Sequence, residues 1–343
     1  MRSTNWLGDV VMSLPALRAL RRSFPDAHLG VMVYSKLAAL FEGTGECDEV
    51  VAFDRPSRRL LGGWSERGAL YSRLRSGSWD LGVLFPNSFS SAWYLKRGGV
   101  RRRVGYALHC RGWTLTDRVP MAHGPLDRHQ VHWYLEIARH LGAEGDPGDC
   151  LYEPPAAGLE AARAVLSGSG VEPGSYVAVA PAAAYGPAKE WPAAHYARLA
   201  ELLSAERGLR TVIIGAPAEA AKCEEVRRLA ARETDGVVST AGKTDVAALA
   251  GVFKLSAGFV GNDSGAMHLA GVTGVPTVGI FGSTQPEVTG PLGPKVKVLK
   301  AEMPCAPCLR RECSRGDYEC LASITPEAAL AALAEADGGE GAG

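Results

Sequence analysis

The sequence predicts an α/β chain of two doubly wound, Rossmann-like domains in tandem. Three observations predict it. Short apolar runs alternate with amphipathic stretches, the pattern of strands joined by helices into a parallel sheet. The run Trp79–Phe85 is apolar without interruption, as expected for a strand buried on both faces. The length of 343 residues accommodates two domains at roughly 100–200 residues each.

The elements follow in order. A turn, Asn5-Trp6-Leu7-Gly8-Asp9, leads into a helix expected from about Val10 to Phe24. His28–Ser35 and Glu49–Phe53 read as strands, and a helix lies within Pro56–Ser78. Trp79–Phe85 is the next strand, and Val131–Leu141 is a helix that closes the first half. Gly142–Gly170 is rich in Gly, Pro and Ala around a helical stretch, Ala157–Leu166. The boundary is expected there, between an N-terminal domain 1–155 and a C-terminal domain 156–337. Tyr176–Ala180 is a strand, Pro192–Glu206 a helix with Pro at its start, and Arg210–Ile214 a strand. Ala218–Arg232 is a helix, Val237–Ser239 a short strand, and Asp245–Leu255 a helix. Gly258–Gly261 is a strand, Ser264–Val272 a helix, and Pro276–Phe281 the last strand. Thr325-Pro326-Glu327 is a helix start, with Thr as cap and Pro at the first position, so Ile324–Asp337 is helical. The tail Gly338–Gly343 is expected to fray.

Composition excludes several classes. Lys plus Arg is 37 and Asp plus Glu is 37, so the chain lacks the basic excess of a nucleic-acid binder. Hydrophobic residues at 46% and charged residues at 22% are those of a globular protein, not a disordered one. The apolar runs fall short of the ~20 residues of a membrane-spanning helix. The N-terminus has no basic stretch followed by an apolar core, so the expected compartment is the cytosol. Of eight cysteines, Cys47, Cys110, Cys150 and Cys223 are scattered, whereas Cys305, Cys308, Cys313 and Cys320 form one C-x2-C-x4-C-x6-C cluster. In a cytosolic chain such a cluster suggests metal binding or redox chemistry, or else a passive loop. Its spacing is not that of the two separated knuckles of a zinc ribbon.

In open parallel sheets ligands bind beyond the carboxyl ends of the strands, so the loops after strands are the place to look. Asp9 stands at a helix start, either as a cap or as a carboxylate aimed into a cleft as a general base. In Pro181–Trp191, Lys189 is either a surface residue or a cation held for an anionic ligand. In Gly261–His268, a strand turns into a helix through Asn262-Asp263-Ser264-Gly265. The amides of Ser264, Gly265 and Ala266 suit a phosphate. Asp263 suits sugar hydroxyls or an N-cap, and His268 either reaches the same site or packs in the core. Ser239–Thr244 ends like a P-loop, but five residues instead of four separate Gly236 from Gly242. His129 and His132 lack the HExxH pattern of a zinc hydrolase. Arg101-Arg102-Arg103 reads as a loop triplet, either solvated or facing an anionic acceptor or an acidic lipid headgroup.

Taken together, WLGDVVMSLPALRAL, LFPNSFSSA, RVGY, PAAAYGPAKEWP, GNDSGAMHLAGVTGVPTVGIFGST and the cysteine cluster occur in an order that resembles glycosyltransferase family 9. The chain is most similar to its heptosyltransferase II branch, over nearly its whole length. The resemblance implies a GT-B architecture, with two Rossmann-like domains facing across a cleft. It implies inverting, metal-independent transfer of L-glycero-D-manno-heptose from ADP-heptose, with no cofactor. The acceptor would be the first heptose of the lipopolysaccharide inner core, at the cytoplasmic face of the inner membrane. Asp9 matches the family's catalytic base. Lys189, with Ser264 and Gly265, would meet the diphosphate, Asp263 would hold heptose hydroxyls, and His268 would support them. Asn87, Ser88, Arg101 and Arg103 are assigned to the acceptor.

Family members begin with an apolar strand just before the equivalent of Arg2–Asn5, whereas this chain begins Met1-Arg2. The expectation is a truncated first strand and a true start upstream of Met1. Competing readings are a relative using another nucleotide-sugar or acceptor, a non-catalytic nucleotide-sugar-binding protein, and an epimerase-type α/β enzyme. The missing GxGxxG after a first strand counts against an NAD-dependent member of the last class.

Overall fold

The structure is a computed structural model that describes residues 1–54, 60–121, 123–124, 126–232 and 234–338, with the backbone alone for 60–64. The chain divides into two compact units, Met1–Asp149 and Cys150–Gly343. The division falls inside the Gly/Pro/Ala-rich stretch, a few residues before the expected 155/156.

The first unit opens with α1 (Leu7–Met12) and α2 (Leu14–Ser23), where one helix was expected. The break comes at Ser13 because Pro15 is the second residue of α2. A continuous helix would drive the Pro15 ring against the Val11 carbonyl. There follow β1 (Gly30–Tyr34), β2 (Glu49–Phe53), α3 (Leu60–Ser76), β3 (Leu81–Val83), α4 (Phe89–Arg97), β4 (Arg102–Tyr106), β5 (Asp117–Val119) and α5 (Val131–His140). Residues 56–59 of the expected helix region, and the expected frayed tail beyond Gly338, lie outside the described residues.

β1 pairs with β2, and β3, β4 and β5 pair in that order, all in parallel. Met1–Ser3 joins the two sets. Arg2 N–H donates to Val83 O at 2.7 Å, and Phe85 N–H to Arg2 O at 3.2 Å. On the other side Met32 N–H donates to Met1 O at 2.8 Å, and Ser3 N–H to Met32 O at 3.0 Å. These three residues hold the strand position that the sequence reading left vacant. The order is therefore β2-β1-(Met1–Ser3)-β3-β4-β5. Arg2 is buried at this rung, its guanidinium against the rings of Tyr34 and Phe53 at 5.3 and 4.8 Å. Burial pushes its pKa down to about 10.

The second unit contains α6 (Ala156–Ser167), β6 (Tyr176–Ala180), α7 (Ala193–Arg207), β7 (Arg210–Ile213), α8 (Ala220–Ala230), β8 (Val237–Ser239), α9 (Val246–Lys254), β9 (Gly258–Asn262), α10 (Gly265–Val272), β10 (Thr277–Phe281), α11 (Pro286–Thr289), β11 (Val296–Lys300), α12 (Glu319–Ala322) and α13 (Pro326–Gly338). Its strands form one parallel sheet in the order β11-β10-β9-β6-β7-β8. β6, β9 and β10 are buried at every residue, which is why they read as unbroken apolar runs. β11, with its alternating Val-Lys-Val-Leu-Lys, closes one edge with lysines, a common protection of an open strand. Gly158 on α6 and Gly251 on α9 let the two helices touch through backbone. A Cβ on Gly251 would lie 2.7 Å from the Gly158 carbonyl oxygen.

Both sheets reverse direction once. In the first unit the chain runs outward from Met1–Ser3 through β1 to β2, then returns to β3 on the other side. In the second it runs from β6 through β7 to β8, then returns to β9 beside β6. Such switch points open a crevice beyond the carboxyl ends of the two diverging strands.

Candidate active site

The first switch point holds a pocket of about 320 Å³. Thr4, Asn5, Trp6 and Asp9 line it from one side, and Phe85, Pro86, Asn87 and Ser88 from the other. Tyr106, Gln130, Trp133 and Tyr134 complete it. Asp9 is the third residue of α1, and the cap position falls on Trp6, so the cap reading of Asp9 is not the one observed. The carboxylate sits in the first turn, where the helix dipole favours negative charge. Gln130 Nε2 donates to Asp9 Oδ1 at 3.0 Å and to the Tyr134 hydroxyl at 2.6 Å. Burial, then the Asp9 charge, pushes the Tyr134 phenol well above its ordinary pKa. Burial pushes Tyr106 up to about 12, and its hydroxyl donates to Glu136 Oε2 at 2.7 Å.

Asn87 and Ser88 are brought to this pocket. Ser88 also caps α4, accepting from Ser91 N–H at 3.3 Å. The loop that carries them is clamped by Arg111, whose side chain is buried. Its Nε donates to Tyr106 O at 2.8 Å and its Nη2 to Asn87 Oδ1 at 3.2 Å, while Nη1 donates to Pro86 O. Arg101 and Arg103 are not brought there. The triplet is not a loop, because Arg102 and Arg103 lie in β4. They occupy its amino end, whereas Tyr106 at the carboxyl end faces the pocket. The Arg103 side chain is spent on the carbonyls of Thr114, at 2.6 Å, Val100 and Arg101. Arg101 is 3.7 Å from Asp80, with both side chains largely in solvent.

The second switch point gathers the loops after β6, β9 and β10. Lys189 forms an ion pair with Asp263, and both side chains are largely buried. The Thr284 hydroxyl donates to the same Asp263 Oδ2 at 2.6 Å. The cap position of α10 falls on Ser264, so Asp263 is not the cap. Among the described residues the buried Ser264 Oγ has no hydrogen-bond partner, nor has that of Ser283. The first-turn amides, beginning at Gly265, have no partner within the helix. His268 lies one turn in and is buried. Asn262 fixes the Lys189 loop: its Oδ1 accepts from Trp191 N–H at 2.9 Å and from the Tyr196 hydroxyl at 3.0 Å. Gly186 starts the tight turn before Lys189 at φ 143°, where a Cβ would lie 2.6 Å from Arg311 O.

That contact joins the cysteine loop to the Lys189 loop. Ala188 N–H donates to Arg311 O at 3.1 Å, and the Tyr185 hydroxyl to Leu309 O at 2.8 Å. Tyr185 presents its ring to both Lys189 and Arg311, at 4.7 and 5.1 Å. Cys305, Cys308, Cys313 and Cys320 are free thiols. Among the described residues no group of three or more His, Cys, Asp or Glu is placed to hold a metal ion. Backbone amides around Cys313 hold its thiol below the ordinary value, whereas burial raises that of Cys320.

Glycosyltransferase family 9 (heptosyltransferase) matches residues 67–319 by its sequence profile. The chain belongs to this family. It is a glycosyltransferase with the family's GT-B fold. It is 29% identical to lipopolysaccharide heptosyltransferase 2 of Escherichia coli K12, across 96% of this chain and 95% of that one. It is 27% identical to lipooligosaccharide heptosyltransferase 2 of Haemophilus ducreyi, across 94% of each. In structure it resembles E. coli ADP-heptose lps heptosyltransferase II, with a TM-score of 0.80, 24% identity and coverage of 98% of this chain and 97% of that one. It also resembles E. coli heptosyltransferase WaaC with ADP, with a TM-score of 0.75, 22% identity and coverage of 98% and 100%.

Sequence reasoning missed Gln130, Tyr134, Arg111 and Thr284. Gln130 and Tyr134 stand four apart at the start of α5, a helical spacing that puts both on one face. Thr284 lies within the segment that carried the resemblance. Arg111 gave no signal, because its partners are distant carbonyls.

Proposed function

We propose that this heptosyltransferase moves L-glycero-D-manno-heptose from ADP-heptose to the first heptose of a lipopolysaccharide inner core, with inversion and without a metal. The acceptor occupies the pocket of the first unit, and the diphosphate of the donor occupies the switch point of the second. Asp9 takes the proton of the acceptor hydroxyl as that oxygen attacks the anomeric carbon. The bond from that carbon to the β-phosphate oxygen breaks, and ADP leaves with the negative charge. Lys189 and the first-turn amides of α10 stabilise that charge, the role of preorganised donors at a developing anion. Asp263 holds the Lys189 ammonium through Oδ2 and offers Oδ1 to a sugar hydroxyl.

The observation that carries the reading is Asp9. It is a carboxylate in a pocket lined by amide, hydroxyl and aromatic groups, fixed through one oxygen by Gln130. The heptosyltransferase 2 relatives support the choice of donor and acceptor. Among the described residues no helix is long and apolar enough to cross a membrane. The proposed acceptor is lipid-anchored, so the enzyme would work peripherally, at the cytoplasmic face of the inner membrane.

The test is a transfer assay with ADP-L-glycero-D-manno-heptose and a monoheptosylated lipid A core, read by mass spectrometry. One added heptose is expected, and Asp9→Asn should lower the rate on the order of 10²–10⁴-fold, the usual range for a general base. No transfer by a folded protein overturns the choice of substrates and directs the assay to other nucleotide-sugars. Transfer unaffected by Asp9→Asn overturns the base.

A further inference from the structure

The first unit carries an exposed aromatic and basic patch that the reaction does not use. Phe89, Trp93 and Trp113 form a mutually touching trio, each pair of ring centroids 5.8 Å apart. Phe89 and Trp113 remain 41% and 56% exposed, which is unusual for three clustered large rings. Cations border the trio. Lys96 Nζ lies 4.3 Å above the Trp113 ring, and the Arg97 guanidinium is 5.7 Å from that of Trp93. Arg118 packs beside Gly112, the residue before Trp113. None of the three cations forms an ion pair among the described residues.

The patch is continuous with the acceptor pocket. Ser88 lines the pocket and caps α4, and Phe89 is the next residue. Arg111 clamps the pocket loop, and Trp113 follows two residues later. The two segments are therefore held together by the same buried guanidinium. Trp and Phe beside Lys and Arg is the composition of a surface that rests at a bilayer interface, with rings among the headgroups and cations on anionic phosphates.

We propose that the Phe89–Trp93–Trp113 face, with Lys96, Arg97 and Arg118, docks the enzyme on an anionic phospholipid bilayer beside its acceptor pocket. This rests on the proposed lipid-anchored acceptor, which must be presented to the pocket from a membrane.

The experiment is sedimentation of the full chain with vesicles of phosphatidylethanolamine and phosphatidylglycerol, set against phosphatidylcholine alone. Wild type should bind the anionic vesicles and bind phosphatidylcholine at least tenfold more weakly. Phe89→Ala with Trp113→Ala should weaken anionic binding at least tenfold, and Lys96→Glu with Arg97→Glu at least fivefold. Arg207→Glu with Arg228→Glu makes the same change of charge on exposed positions of the second unit and should leave binding unchanged. Melting profiles verify that each variant folds. Transfer to a soluble, deacylated acceptor should be equal in wild type and all these variants. No binding of wild type overturns the docking face. So does an equal loss in the Arg207/Arg228 control, and so does an aromatic variant that still binds. A change in solution mass of the aromatic variant with vesicle binding intact overturns it as well, and assigns the patch to a second copy of the chain. Absence of transfer to every acceptor would count against the proposed reaction, while vesicle binding still decides the docking face.

Discussion

The two units solve one problem with different materials. Each places its site at the switch point of a parallel sheet, as the topology requires. In the second unit the site comes from sequence neighbours of the strand ends: Lys189 after β6, Asp263 after β9 and Thr284 after β10. In the first unit the pocket comes from residues far apart in the chain, joined by long polar side chains. Gln130 reaches Asp9 across 121 residues, and Arg111 reaches Asn87 across 24. A charge for binding an anion can be built locally on strand ends and a helix start. A shaped pocket for a larger, neutral surface needs walls from several elements.

The largest effects should come from the charged site. Lys189→Ala removes the cation and leaves the Asp263 carboxylate unpaired where the diphosphate is proposed to bind. Turnover should fall on the order of 10²–10³-fold, the scale of losing one preorganised donor, and ADP affinity should fall with it. Thr284→Val leaves the ion pair and loses one hydrogen bond, so about tenfold is expected, near the upper end of a net contribution of about 1.5 kcal/mol. Calorimetry of ADP binding distinguishes the two units, because Asp9→Asn should leave it unchanged. A Lys189→Ala variant with normal ADP affinity would move the diphosphate elsewhere.

Stability should divide the same way. Arg111→Met strips the clamp from carbonyls buried around the first pocket, and leaving them unpaired costs about 3 kcal/mol. Gly251→Val in the second unit forces a side chain against the Gly158 carbonyl, and overpacking of this kind costs about 2 kcal/mol. Hydrogen exchange resolves where each loss falls. Arg111→Met should speed exchange in β3 and β4, and Gly251→Val in α6 and α9. Equal acceleration in both units by either variant would mean that they unfold as one cooperative block.

What the sequence disclosed follows from the same contrast. β6, β9 and β10 were legible almost to the residue, because strands buried on both faces read as nearly unbroken apolar runs. Asp263 and Ser264 were legible because they directly follow β9, and Lys189 because it lies in the loop that follows β6. β4 was missed because it begins Arg102-Arg103, two side chains used for pairing at the exposed amino end of the strand. α4 was missed in part because it begins at Phe89, whose ring faces solvent with Trp113. Met1–Ser3 was missed as a sheet rung because Arg2 looks like a surface residue. The stacking of its guanidinium on Tyr34 and Phe53 and its hydrogen bonds to Ser3 O, Met32 O and Asn5 Oδ1 make that position tolerable. Residues whose role depends on distant partners leave no local pattern to read.

The smallest expected effect tests a pairing on the edge of the first sheet. Asp117 on β5 accepts from Arg102 at 3.2 Å through Nε, and its other oxygen lies 2.8 Å from His140 Nε2. The hydrogen bond from Arg102, then that from His140, holds the carboxyl below the ordinary carboxylate range. A depressed carboxyl stabilises the fold at pH above its unfolded value and loses that contribution as pH falls through the folded value. Asp117→Asn should therefore cost about 0.5 kcal/mol at pH 7, the scale of a partly exposed ion pair. The gap between wild type and variant should stay constant from pH 7 to about 5, begin to close near about 4, where the unfolded carboxyl protonates, and vanish once the folded carboxyl has protonated too. Urea midpoints across that series measure it. A gap that stays the same down to about pH 3 would show that the charge of the Asp117 carboxylate contributes nothing, and that Arg102 and His140 hold this edge of the sheet by contacts that an amide makes equally well.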